Sequence, residues 1–98
     1  MVEETPEIRL RRLRMRSWRR GMKEMDLILG PFADSHLAGL SEPLVQEYED
    51  LLAENDQDLY RWVTARLDPA GGHERGPEAL SAVLDRVAEA AIPGRVRK

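Results

Sequence analysis

Few residues in this 98-residue chain could do covalent or acid–base chemistry. There is no cysteine, which excludes disulfides and thiolate metal sites. The two histidines stand alone: His36 falls near a predicted helix end and His73 in a glycine-rich loop, and both are predicted to be surface or capping residues. No phosphate-binding glycine loop, metalloprotease motif or nucleophile beside a base is present. We therefore predict no catalytic residue, no metal site, and a protein that is not an enzyme.

The other polar side chains are predicted to be structural. The serines are interpreted as helix-surface or cap residues, and several carboxylates as a solvated helix face: Ser17, Ser35, Ser41 and Ser81; Glu47, Glu49 and Asp50.

The charge distribution is strongly asymmetric. Seven arginines and no acid fall within residues 9–20, whereas residues 21–69 carry a net charge of −8. Like charges one helical turn apart repel by a few tenths of a kcal/mol per pair. Glu7, acids of neighbouring helices or a partner must therefore offset this repulsion.

The arginine-rich segment has two functional interpretations, a nucleic-acid-binding helix and a mitochondrial presequence. A nucleic-acid-binding helix fits the charge, but the segment has one aromatic residue, Trp18, and the remaining chain is acidic rather than basic. A mitochondrial presequence fits the amphipathic arginines, but Glu3, Glu4 and Glu7 precede them and presequences are poor in acids. A nucleic-acid-binding module that uses the first helix stays the alternative hypothesis.

The arginines end at a corner, Arg20-Gly21-Met-Lys-Glu24-Met-Asp26. Gly21 suits either a left-handed position after one helix or the N-cap of the next. If it is the N-cap, Glu24 can reach back to the cap amide. Arg20 and Glu24 fall on no apolar stripe, so both are predicted to be exposed.

Apolar spacing predicts an all-α fold, a small antiparallel five-helix bundle in a single domain over residues 1–98. The helices are predicted at about 6–19, 22–37, 42–54, 57–67 and 77–91, followed by a mobile tail at 93–98. Pro31 is predicted to kink the second helix rather than end it. The longest wholly apolar run, Leu27 to Leu29, is too short to cross a bilayer, so no membrane insertion is expected.

One common core is predicted from the apolar stripes, and it contains Phe32, Tyr48, Leu52, Leu59, Trp62 and Val83. Trp18 and Leu67 are also assigned to inward stripes.

Arg20-Gly21-Met-Lys-Glu24-Met-Asp26, with the Pro31-Phe32 that follows, resembles the R-G-x-x-E signature of the succinate dehydrogenase assembly factor family. This family includes the bacterial SdhE proteins and the mitochondrial assembly factor 2. The resemblance continues through Leu51-Leu52 and the L-x-x-W-V of residues 59–63, and covers roughly residues 9–67.

The resemblance implies a five-helix bundle that binds the flavoprotein subunit of succinate dehydrogenase or fumarate reductase and promotes covalent attachment of FAD. The family's partner-binding positions map to Arg20, Gly21 and Glu24, with Asp26 in the same stretch. It implies no stably bound cofactor, because the FAD belongs to the partner. We further expect a monomer that binds no nucleic acid and lies in the bacterial cytoplasm, which is favoured over the mitochondrial matrix. An antitoxin-type interaction protein is a further alternative within the family.

Overall fold

Five α-helices and three short 3-10 turns make up the fold in a computed structural model that describes residues 4–72 and 74–91. The helices are α1 (Pro6–Trp18), α2 (Lys23–His36), α3 (Glu42–Leu52), α4 (Asp56–Leu67) and α5 (Ser81–Ala91). The 3-10 turns are Leu37–Gly39, Pro69–Gly71 and Glu78–Leu80. No strand occurs in these described ranges, and the predicted all-α bundle is confirmed.

Local capping explains where two of the helices begin. The Thr5 side chain accepts a hydrogen bond from the Ile8 amide at 3.2 Å, and Pro6 occupies the first turn of α1. Asn55 accepts from the Asp58 amide at 2.8 Å at the start of α4. Such caps satisfy amides that have no partner within the helix.

The helix ends lie within four residues of the predicted positions, and four of the ten coincide with them. The largest difference is at α5, predicted to begin at residue 77; a 3-10 turn occupies Glu78–Leu80, and the α-helix begins at Ser81. A carboxylate of α3 caps this helix, because Glu47 accepts from the Val83 amide at 3.0 Å. Helix α2 continues through Pro31 to His36. The predicted mobile tail, 93–98, lies outside the described residues.

One hydrophobic core joins all five helices. The six residues predicted to share it do so, and the core also contains Leu13 from α1 and Met25 and Leu29 from α2. Helix α1 packs mainly against α2, and α4 against α5. No helix in the described ranges is long and apolar enough to span a membrane.

The burial of three uncharged side chains was assigned wrongly from the sequence. Trp18 and Leu67 are exposed rather than inward. Ser17 is fully buried rather than a surface residue: its hydroxyl donates to the Leu13 carbonyl at 2.8 Å and lies 2.5 Å from the Tyr48 hydroxyl. Polar pairing of this kind leaves no trace in an apolar-spacing pattern.

Candidate functional site: the corner between the first two helices

The backbone reverses between α1 and α2 through Gly21. Helix α1 ends at Trp18, Gly21 has a φ of +97°, and α2 begins at Lys23 with Met22 as its N-cap. A positive φ is strained for any residue with a side chain, so glycine is the residue that this reversal requires. The prediction of a left-handed glycine is confirmed.

The alternative in which Gly21 is the N-cap and Glu24 reaches back to it is wrong. The N-cap is Met22, which has no side-chain cap bond. A carboxylate does reach back across the corner, but it belongs to Asp26, whose Oδ1 accepts from the Arg20 amide at 2.8 Å. Asp26 therefore fixes the entry of the chain into α2 from one turn inside that helix.

The Arg20 side chain connects the corner to the junction between α3 and α4. Its Nε donates to Asp56 Oδ1 at 2.6 Å, and its two terminal nitrogens donate to the carbonyl oxygens of Leu52 and Glu54 at 2.5 and 2.6 Å. The last carbonyls of an α-helix have no partner within the helix. Arg20 supplies partners at the end of α3 and neutralises a carboxylate in the first turn of α4.

The expectation that Arg20 is exposed is therefore wrong, since its side chain is only 9% exposed. Glu24 is exposed as expected, and its side chain has no ion pair or hydrogen bond with any described residue. Of the four predicted partner-binding residues, Arg20 and Asp26 hold the corner in shape, whereas Gly21 and Glu24 present its outer surface.

Two other arginines tie α1 to α3. Arg9 contacts Glu42 at 2.6 Å and Glu49 at 3.2 Å, and Arg12 contacts Glu4 at 2.6 Å and Glu49 at 3.0 Å. The interpretation of Glu49 as part of a solvated face is wrong, and so is that of Glu47, which caps α5. The expectation that acids of neighbouring helices offset the arginine repulsion is confirmed for Arg9, Arg12 and Arg20.

These contacts shift the acid–base equilibria of their members. The hydrogen bond from Arg12 lowers the pKa of Glu4. The hydrogen bond to Glu42 raises the pKa of Arg9, and the bond to Glu4 raises the pKa of Arg12. Each shift stabilises the charged form of a group that has gained an opposite charge.

The other four arginines of the first helical region, Arg11, Arg14, Arg16 and Arg19, make no ion pair with any described residue. Arg16 and Arg19 line a shallow depression of about 330 Å³ together with Met15 and Arg20. The structure thus separates the arginines into three that stabilise the bundle and four that give the outer face of α1 a positive charge.

Sequence reasoning missed a second feature beside the corner. This is the place on α2 where the Trp18 ring packs over Gly30 and bonds to Asp34, which we call the seat of Trp18. The Trp18 ring lies against α2 over Gly30, where a Cβ would be 2.4 Å from the ring carbons. Its Nε1 donates to the Asp34 carboxylate at 3.2–3.3 Å. Trp18 nevertheless remains 40% exposed, so the ring is held in place at the surface. A glycine and an aspartate four residues apart on α2 were the available signal.

Among the described residues, no group of histidines and carboxylates could hold a metal ion. His36 is exposed at the end of α2, with its ring 5.3 Å from that of Phe32. His73 lies outside the described residues.

A family model described as the flavinator of succinate dehydrogenase matches residues 11–90, which include the corner, α2 to α4 in full and most of α1 and α5. The chain belongs to this family. The match extends beyond residues 9–67, over which the resemblance was drawn from motifs, and takes in α5.

Several relatives that match the chain are named as mitochondrial proteins. The succinate dehydrogenase assembly factor 2 of Meyerozyma guilliermondii is 45% identical over 65 residues, which is 66% of this chain and 48% of that protein. The corresponding protein of Candida glabrata is 40% identical over 86 residues, 86% of this chain and 56% of that protein. The chain spans about half the length of these relatives. No solved structure matches the chain.

These relatives overturn the expected location. Bacterial cytoplasm was predicted, but the matching assembly factors are named as mitochondrial proteins of fungi, which points to the mitochondrion instead. The arginine-rich first helix, whose amphipathic arginines fit a presequence, is part of the folded bundle.

Proposed function

We propose that this chain is an assembly factor that binds the flavoprotein subunit of succinate dehydrogenase and promotes covalent attachment of FAD to it. Membership of the flavinator family supports the assembly role. The observation that carries the finer proposal is the corner itself. Gly21 and the Glu24 carboxylate are exposed at this backbone reversal. Hydrogen bonds of Arg20 and Asp26 fix the conformation of the reversal.

A fixed corner suits a docking role. Binding costs conformational entropy for each segment that must become ordered, and a surface held in one shape before binding avoids that cost. The backbone conformation of residues 20–26 is restricted in three ways. The Arg20 amide bonds to Asp26, the Arg20 guanidinium bonds to Asp56, and Gly21 has a positive φ. Glu24 is available to a cation or an amide of the partner.

The proposed mechanism is positioning rather than chemistry by this chain. The bond to FAD forms between two groups that both belong to the flavoprotein complex, so the assembly factor need only favour the conformation in which they meet. Holding reacting groups together can accelerate a reaction by many orders of magnitude. No stably bound cofactor and no catalytic side chain of this chain enter the proposal, and the chain acts as a monomer. Fumarate reductase is the second candidate client.

Co-purification tests the binding step. A tagged chain should retain the flavoprotein subunit, and Glu24→Ala should weaken binding about thirtyfold, because a charged anchor desolvated at an interface costs about 2 kcal/mol or more when truncated. Glu78→Ala is the matched control, since the Glu78 side chain is also exposed and makes no ion pair or hydrogen bond with a described residue. Equal retention by both variants would remove Glu24 from the interface. Retention of nucleic acid in place of the flavoprotein would favour the alternative module.

A further inference from the structure

Four large apolar side chains are exposed on α1 and α2, and three of them lie toward the corner: Met15 at 51%, Trp18 at 40% and Leu27 at 57%. Met15 and Trp18 are three residues apart, so they lie on one face of α1. Leu27 precedes Gly30, the seat of Trp18, by one turn on α2. These three residues, which we call the apolar strip, run across the two helices beside the corner.

An unpaired cation stands one turn before each member of the apolar strip. Arg11 precedes Met15 by four residues, Arg14 precedes Trp18 by four, and Lys23 precedes Leu27 by four. Residues four apart are neighbours on a helix surface. All three cations are exposed and form no ion pair with any described residue. The apolar strip is therefore bordered by three cations that form no ion pair with a described residue, and by the exposed carboxylates of Glu24 and Asp34 on the α2 side.

The seat of Trp18 holds the exposed aromatic ring in one fixed position on the surface. A glycine inside a helix is destabilising relative to alanine. Gly30 accepts that cost at a position where any Cβ would collide with the ring, and Asp34 fixes the indole N–H. Rigid tryptophan anchors surrounded by arginine are the composition of energetic hot spots in protein interfaces.

We propose that the apolar strip is a second docking surface, adjoining the corner, for a protein surface that presents an apolar pocket rimmed by carboxylates. This inference rests on the proposed function, and it assigns that surface to the flavoprotein subunit. Charge complementarity selects the carboxylates. A phosphate backbone fits less well, because Met15 and Leu27 offer it no hydrogen-bond donor and residues 21–69 carry a net charge of −8. A lipid surface also fits less well, because the Trp18 ring is held flat against α2 and is not free to insert.

The test measures the affinity of the full chain for the purified flavoprotein subunit as a function of salt. Met15→Ser and Leu27→Ser should each weaken binding about tenfold, and Arg14→Glu at least tenfold with a shallower salt dependence. Leu67→Ser and Arg86→Glu are the matched controls, since both residues are exposed on other helices and should change affinity less than twofold.

The outcomes separate this inference from the function beneath it. If the wild-type chain does not bind the flavoprotein at all, the proposed function fails. If it binds and the strip variants bind as tightly as the controls, the docking surface is overturned while the function stands. Binding of the wild type to duplex DNA, to RNA or to anionic vesicles that Arg14→Glu abolishes, with flavoprotein binding unchanged, would also overturn it. Circular dichroism of each variant confirms that it is folded.

Discussion

Replacing Arg20 by alanine should destabilise the fold rather than act only on binding. The guanidinium makes three charged hydrogen bonds, to Asp56 and to the carbonyls of Leu52 and Glu54, at 2.5–2.6 Å. The Arg20 and Asp56 side chains are 9% and 19% exposed, so water replaces little of what is lost. Breaking a largely buried pair by removing one partner costs about 3–5 kcal/mol. A domain of this size is stable by about 5–15 kcal/mol, so the variant should be marginal.

Urea unfolding followed by circular dichroism measures this cost. In thermal unfolding, the Tm of the variant should be lower than that of the wild type by more than about 12 °C. This follows because Tm changes by about 4 °C or more for each kcal/mol of unfolding free energy in a domain of this size. Arg20→Lys keeps the charge but cannot span three acceptors, so it should recover only part of the loss. Arg16→Ala is the control, because Arg16 is exposed and unpaired within the described ranges, and it should change stability by less than about 0.5 kcal/mol. An Arg20→Ala protein as stable as wild type would refute the structural role.

Three further changes test other parts of the account. Gly21→Ala should cost about 1 kcal/mol in urea unfolding through backbone strain alone, because its Cβ would meet no atom within 4 Å at φ +97°; an unchanged midpoint would contradict the strained corner. Gly30→Ala should displace the Trp18 ring and shift its fluorescence emission relative to a Trp18→Phe control, and unchanged emission would contradict the seat. Burial raises the pKa of Tyr48 to about 12, against a lowering by the Ser17 hydrogen bond. The folded state therefore resists loss of the phenol proton, and stability should fall by up to about 3 kcal/mol as the pH rises from about 10 to 12. Tyr48→Phe should remove that fall, and a fall that persists would assign it to other groups.

The sequence predicted the features that depend on neighbours along the chain. Apolar residues three and four apart identify the buried faces, so the sequence correctly places Phe32, Leu59 and Val83 in the core. A glycine between two helical stripes identifies a reversal of the backbone, and Gly21 has the positive φ that this requires.

Long-range polar contacts could not be predicted in this way. The acceptors of Arg20 lie 32 to 36 residues further along the chain, at a junction whose distance from the corner depends on how the helices pack. The arginine therefore resembled a surface charge. The prediction that Trp18 is buried was wrong for a related reason. Its spacing fits the inward stripe of α1, but the ring packs at the surface over Gly30 of α2.

Covalent flavin in the succinate dehydrogenase flavoprotein is the most direct test of the proposed function. Cells that lack their own assembly factor would be complemented with the wild-type chain, Glu24→Ala or Glu78→Ala, and in-gel flavin fluorescence of the subunit would be measured at equal levels of folded protein. We expect fluorescence with the wild type and with Glu78→Ala, and its loss with Glu24→Ala, whose side chain is exposed and makes no ion pair with a described residue. Equal fluorescence with both variants would mean that the outer surface of the corner does not act on the flavoprotein. Absence of fluorescence with the wild-type chain itself would contradict its role in FAD attachment.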